Sequence, residues 1–245
     1  MGDSFTEGVG DPRSDGDVRG WADLVAQGLA DVSGEDVGYA NLAVRGRRLA
    51  PIVDDQIPAA LALDPPPTVV TMNGGGNDIL GRDWDLDTVR RRTESALIAC
   101  VDAGVSPILL SGPDPSASLP FGRTIRGRGA RLTEALAEMA DRCGVTFVDL
   151  FGTAELRDPA YWSSDRLHLN PRGHQRVADH VLAAVCGRPV AGEENLQARS
   201  PGRLDGLAFT VGHLLPWVLR HATGRSSGDG RSPKHPDWVA VAPAT

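Results

Sequence analysis

The chain has 245 residues, a formal net charge of −7, 41% hydrophobic residues and only 5% aromatic ones. That length fits one large domain, or a domain with a tail, and such a domain buries enough surface to fold without a metal or disulfide staple. The acidic balance argues against a nucleic-acid partner, because a phosphate backbone calls for clustered lysine and arginine.

Taken in chain order, "WADLVAQGLADV" at 21–32 spaces Trp21, Leu24, Val25, Leu29 and Val32 at helical intervals. "VGYANLAV" at 37–44 reads as a strand ending near Arg45 and Gly46, and "IVDDQIPAALAL" at 52–63 as a helix bent or interrupted at Pro58. "PPPTVVTMN" at 65–73 is a strand, after which "GGGND" turns the chain. Residues 86–104 predict a helix that stops at Gly104, 105–112 a buried strand, 128–144 a second glycine-stopped helix and 145–150 a short apolar strand. "PRGHQRVADHVLAAVCG" at 171–187 predicts a helix with Pro171 in its first turn. Strands alternating with helices of this length are the pattern of an α/β fold with a mainly parallel sheet and helices on both faces.

The rest of the chain differs. The domain is expected over 1–187, with an amphipathic helical extension over 188–223 and a flexible or extended tail over 224–245. The apolar face of 203–224, bent at Pro216, is expected to dock on the main domain and to cover part of its pocket; a membrane-surface or partner helix is the alternative. "GRSSG" at 224–228 matches a nucleophile elbow but lacks the strand before it and the helix after it. "DPRSDGDV" at 11–18 has Arg13 in a calcium-ligand position and no closing glutamate, so it reads as a solvated turn. Cys100, Cys143 and Cys186 are odd in number and widely spaced, which is neither a zinc pattern nor a disulfide framework. No run approaches the roughly 18 apolar residues of a membrane span, and no signal peptide is visible, so the expected location is the cytoplasm.

In an open parallel sheet, ligands bind beyond the carboxyl ends of the strands. Four polar stretches fall there: Gly2-Asp3-Ser4, "AVRG" at 43–46, "GGGND" at 74–78 and "SSDRLH" at 163–168. A serine nucleophile needs a base, and the base needs an orienting carboxylate. Asp165 and His168 are spaced so that one turn can bring the carboxylate to Nδ1 and leave Nε2 for Ser4. An oxyanion needs donors, and the backbone N–H groups of Ser4 and Gly46 and the amide of Asn77 are candidates. His174 and His180 do not share a helix face, which argues against a metal site, and Asp3 is expected to brace a neighbouring loop.

In these blocks the chain resembles the SGNH hydrolases, also called GDSL esterases and lipases. The blocks are Gly2-Asp3-Ser4, "NLAVRG" at 41–46, Gly76-Asn77-Asp78 and Asp165-x-x-His168, in order, over about residues 1–187. The resemblance implies a three-layer, flavodoxin-like fold and ester hydrolysis without metal or other cofactor. It implies Ser4 as nucleophile, His168 as base, Asp165 as its orienter, and Ser4, Gly46 and Asn77 as the oxyanion hole. Small acyl or acetyl esters are the expected partners; a carbohydrate O-acetyl esterase and an inactive or binding remnant are the alternatives.

Two departures from the family pattern stand out. Arg45, with Arg47 and Arg48, sits where a small residue is usual, which suggests an anionic or polar substrate head, or a solvated surface paired with Asp54 and Asp55. Asp78 has the same two readings, substrate contact or hydrogen bonding to its own turn. The second departure is the absence of the apolar strand that leads into Gly-Asp-Ser. The expectation is that the chain starts late, that its neighbouring strands lack a partner, and that restoring upstream residues raises its stability and activity.

Overall fold

The computed structural model describes residues 1–117, 119, 121–187 and 228–244. Its elements are α1 (Ser4–Glu7), α2 (Trp21–Ser33), β1 (Val37–Asn41), α3 (Leu49–Pro51), α4 (Ile57–Leu61), β2 (Val69–Asn73), α5 (Leu86–Asp102), β3 (Ser106–Leu110), α6 (Gly122–Cys143), β4 (Thr146–Val148), α7 (Pro171–Cys186) and β5 (His235–Val241). A π-helical turn, Ile52–Gln56, joins α3 to α4, so the helix expected at 52–63 is one irregular helical stretch from 49 to 61. Pro58 lacks the N–H that a regular ladder would use, and the wide turn lies just ahead of it.

Strands β2, β3 and β4 form a parallel sheet with β3 in the middle. β3 reads as a continuous apolar run because both of its faces are covered. Ile108 and Leu110 belong to a core with Trp21, Val25, Val177 and Val181 of α2 and α7. Leu109 points the other way, into a core with Leu97 of α5 and Leu136 and Met139 of α6. That alternation is the period-two signature of a strand and yields three layers, helix–sheet–helix. Val32, counted on the core face of α2 from spacing alone, is about half exposed, because the helix turns it away in its last turn.

β1 lies in a separate two-stranded sheet, paired antiparallel with β5. The expected flexible tail is therefore corrected: "HPDWVAV" is a strand, and Trp238, Val239 and Val241 are residue types that suit one. Trp238 Nε1 donates to the Pro65 carbonyl at 2.9 Å, and Ala244 N to Asp31 at 2.8 Å, fixing that strand at its middle and just past its end. The helix expected over 203–224 lies outside the described residues. Met1 and Gly2 sit between the two sheets: the Met1 amine donates to Thr71 O at 2.8 Å, Asn73 N to Met1 O at 3.2 Å, and Val44 N to Gly2 O at 3.3 Å.

Helix ends follow the capping chemistry of their sequences. Asp85 caps α5 through Asp87 N and Thr88 N, and Asn170 caps α7 through Arg172 N and Gly173 N, with Pro171 in the first turn. α6 starts six residues earlier than its apolar spacing suggested, because Gly122, Arg123 and Gly127 hide the helical pattern while Ile125 packs inward. Among the described residues, no helix is long and apolar enough to cross a membrane.

Candidate active site

The segments that follow β1, β2, β3 and β4 meet at one end of the sheet and enclose a cavity of about 720 Å3. Ser4, Gly46, Asn77 and His168 all line it. Asn77 and His168 follow β2 and β4 of the parallel sheet, where ligands are expected, whereas Gly46 follows β1 of the other sheet and Ser4 lies ahead of every strand.

Ser4 is the first residue of α1. Asp3 caps that turn, its Oδ1 accepting from Phe5 N at 3.1 Å. The turn also closes on itself through Glu7 N to Asp3 O at 2.9 Å. Behind it, Phe5 lies against Trp21 and His174, with ring centroids 5.6 and 6.5 Å away. His174 is fully buried; its Nδ1 accepts from Trp21 N and its Nε2 faces Val9 O, each at 3.2 Å. Burial lowers its pKa to about 4, so it is a neutral brace rather than an acid or base.

The loop 162–169 presents the other two residues. It closes through Ser163 N to His168 O at 2.8 Å and through a bridge between Trp162 and Leu169. Within it, Asp165 Oδ1 accepts from Ser163 Oγ at 2.6 Å and from Leu167 N and His168 N at 3.0 Å each. Arg166 takes a left-handed conformation, φ 55°, which tightens the turn so that side chains three apart can meet. Asp165 Oδ2 then lies 2.6 Å from His168 Nδ1, and His168 Nε2 lies 3.0 Å from Ser4 Oγ. Burial opposes the charge on Asp165, but His168 and Ser163 outweigh it and hold the carboxyl well below the usual carboxylate range.

Ser4 N and Gly46 N have no acceptor among the described residues. Gly46 has φ 75°, a left-handed conformation that glycine adopts without the cost another residue would meet. Asn77 is held differently: its amide donates to Asp3 Oδ2 and to Arg47 O, both at 2.9 Å, which engages both hydrogens. Asp3 is buried, and that burial pushes its carboxyl up to about 6.

Two residues read as tentative substrate contacts sit elsewhere in the chemistry. Arg45 borders the cavity, but its backbone N and its Nε bond to Glu7 at 2.6 and 2.8 Å, so its charge is already met. The expected pairing with Asp54 and Asp55 is corrected as well: Asp54 pairs with Arg92, and Arg48 with Asp83. Asp78 is not on the cavity wall; its Oδ2 accepts from Leu49 N at 2.9 Å and caps α3, a bond beyond its own turn. Sequence reasoning missed Ser163 and Arg166. The Ser-Ser-Asp string is a turn signal that could have pointed to the first; nothing in the spacing marks the second.

The profile of the GDSL-like lipase/acylhydrolase family matches residues 1–176. No curated protein matches the chain at a significant level. Among solved structures, a psychrotrophic esterase EstA from Pseudoalteromonas sp., inhibited by monoethylphosphonate, is similar at 17% identity and a TM-score of 0.60, covering 76% of this chain and 94% of that one. TesA is similar at 23% identity and 0.61, covering 75% and 94%. Axe2, an acetyl xylan esterase from Geobacillus stearothermophilus, is similar at 20% identity and 0.58, covering 78% and 94%. At these identities the likeness is one of fold.

Proposed function

Because the chain belongs to the GDSL-like lipase/acylhydrolase family, we propose that it is a serine esterase that cleaves carboxylic esters through an acyl-enzyme. The observation that supports this most is the chain of contacts from Asp165 through His168 to Ser4, at 2.6 and 3.0 Å. A serine hydroxyl is a weak nucleophile at neutral pH until a base takes its proton. His168 Nε2 is within reach to do so, and Asp165 holds the imidazole with Nδ1 protonated and stabilises the imidazolium that forms.

Ser4 Oγ attacks the ester carbonyl. The C–O bond to the alcohol breaks as His168 returns the proton to the leaving oxygen. A water, deprotonated by His168, then attacks the acyl carbon and releases the acid and Ser4. The Ser4 and Gly46 N–H groups are the oxyanion donors in this reading, and Asn77 joins them by exchanging one of its two acceptors for the oxyanion.

The cavity favours esters with an apolar acyl group over acetylated sugars. Ile79, Leu80, Ile125, Leu132, Leu136 and Phe151 are among the residues that line it. Each buried methylene adds roughly 0.8 kcal/mol of affinity, a gain that an acetyl group cannot collect. Hydrolysis of p-nitrophenyl acetate, butyrate and octanoate, set beside release of acetate from acetylated xylan, tests this. Rates that need Ser4 and rise with acyl length are expected. Release from xylan above all three would move the reading to a carbohydrate esterase.

A further inference from the structure

The segment that carries β5 reaches the candidate site before it becomes a strand. Lys234 ends in a nearly closed pocket, its side chain 6% exposed. Its Nζ donates to Glu7 O at 3.0 Å, Val18 O at 3.0 Å and Asp23 Oδ2 at 2.7 Å, which uses all three ammonium hydrogens. Glu7 is the last residue of α1, the single turn that begins with Ser4. Asp23 is in the first turn of α2, where it also accepts from Gly20 N at 2.8 Å. One side chain thus ties the nucleophile turn to the start of a buried helix.

The same segment makes a second contact. Gly228 lies so close to the loop after β1 that a Cβ there would stand 2.2 Å from the Arg45 carbonyl oxygen. That carbonyl and the Gly46 N–H belong to one peptide unit, so whatever fixes the one aims the other. Glu7 links the two contacts, because its carboxylate holds Arg45 N at 2.6 Å while its carbonyl receives Lys234.

We propose that residues 228–234, ahead of β5, act as a positioning strap for catalysis. Lys234 sets the Ser4 turn, and Gly228 sets the peptide that presents the Gly46 donor. The proposal rests on the serine-esterase reading. Neither residue touches the reacting atoms. A buried ammonium is costly to hold, and an apolar side chain would serve stability as well, whereas three directed bonds specify position. Attack geometry gives such positioning leverage, since a displacement of about 1 Å can cost on the order of 100-fold in rate.

The test uses the full chain, with hydrolysis of p-nitrophenyl butyrate, the rate of Ser4 labelling by a fluorophosphonate, and thermal melting. Lys234→Met and Gly228→Ala are each expected to lower kcat at least about tenfold with KM within about twofold, and Lys234→Met to slow labelling by the same factor. Trp238→Phe removes the bond to Pro65 and touches neither α1 nor the 45–46 peptide; it is expected to lower the melting temperature with kcat intact. Full kcat in folded Lys234→Met or Gly228→Ala overturns the strap, as does an equal loss of kcat in Trp238→Phe at an equal loss of Tm. If Lys234→Met is not recovered folded, Lys234→Gln carries the test: a partial loss of kcat at constant KM supports the strap, and unchanged kcat overturns it. An inactive, unlabelled wild type overturns the esterase reading and the strap with it, whereas an active wild type with unaffected variants overturns the strap alone.

Discussion

Asp165 keeps its charge because three donors of its own loop and the imidazole of His168 converge on it. In Asp165→Asn the side-chain amide would favour the wrong tautomer of His168, so kcat should fall by roughly 10^3- to 10^4-fold with the fold intact. Circular dichroism beside the kinetics checks both halves of that statement. Asp3 behaves in the opposite sense. Its folded-state pKa is raised from 3.8 to about 6, so the folded protein binds that proton more tightly than the unfolded chain. Stability from this group is therefore greatest below pH 4, falls as pH rises from about 4 to about 6, and stays low above, a change of about 3 kcal/mol. Urea unfolding of wild type and Asp3→Asn at pH 4 and pH 7.5 should show the wild type losing ground to the variant at the higher pH. Parallel behaviour of the two would contradict the buried-carboxylate assignment. At this scale the meeting of Asp165, His168 and Ser4 was legible, because a three-residue spacing can close a carboxylate on an imidazole and the serine stands in a polar block of its own. The engagement of Asn77 with Asp3 and Arg47 was not, since spacing carries no information on which hydrogens are already taken.

Among elements, the loop 162–169 and helix α7 act as one unit. Asn170 caps α7 with its Oδ1, while its Nδ2 donates to Ala160 O at 2.8 Å and Trp162 O at 3.1 Å. Asn170→Ala removes a cap and strands two carbonyls, so stability should drop by about 2–3 kcal/mol. Because Asp165 and His168 hang between those anchors, kcat should fall severalfold at a temperature where the variant is still folded. A melting curve and a progress curve at 15 °C measure the two effects. Elements with strong periodicity and clean caps, such as α5 and α7, were legible to within two residues. β5 was hidden because Gly, Ser and Pro before it carry a disorder signature, and its strand-forming residues are confined to one short run, Trp238 to Val241. A pairing partner two hundred residues away supplies what local sequence cannot show.

For the molecule as a whole, the three layers place several loops around one cavity, and α6 supplies apolar residues to its lining. Leu132 and Leu136 line the cavity from the buried face of that helix. Leu132→Trp should fill the acyl end and shift preference from octanoate toward acetate by about tenfold, the worth of two or fewer methylenes. An unchanged chain-length profile would place the acyl group elsewhere. The α/β class was readable from alternation, and the place of the candidate site from the polar stretches at predicted strand ends. The size of the cavity was not, because it is set by contacts among helices that are distant in sequence.

The most direct test of the Ser4–His168–Asp165 assignment is fluorophosphonate labelling followed by peptide mapping, on wild type, Ser4→Ala and His168→Ala. The assignment predicts a single adduct on Ser4 in the wild type, none in Ser4→Ala, and labelling slowed by at least about 100-fold in folded His168→Ala. Folded wild type that resists the probe, or an adduct that persists in Ser4→Ala, would contradict it.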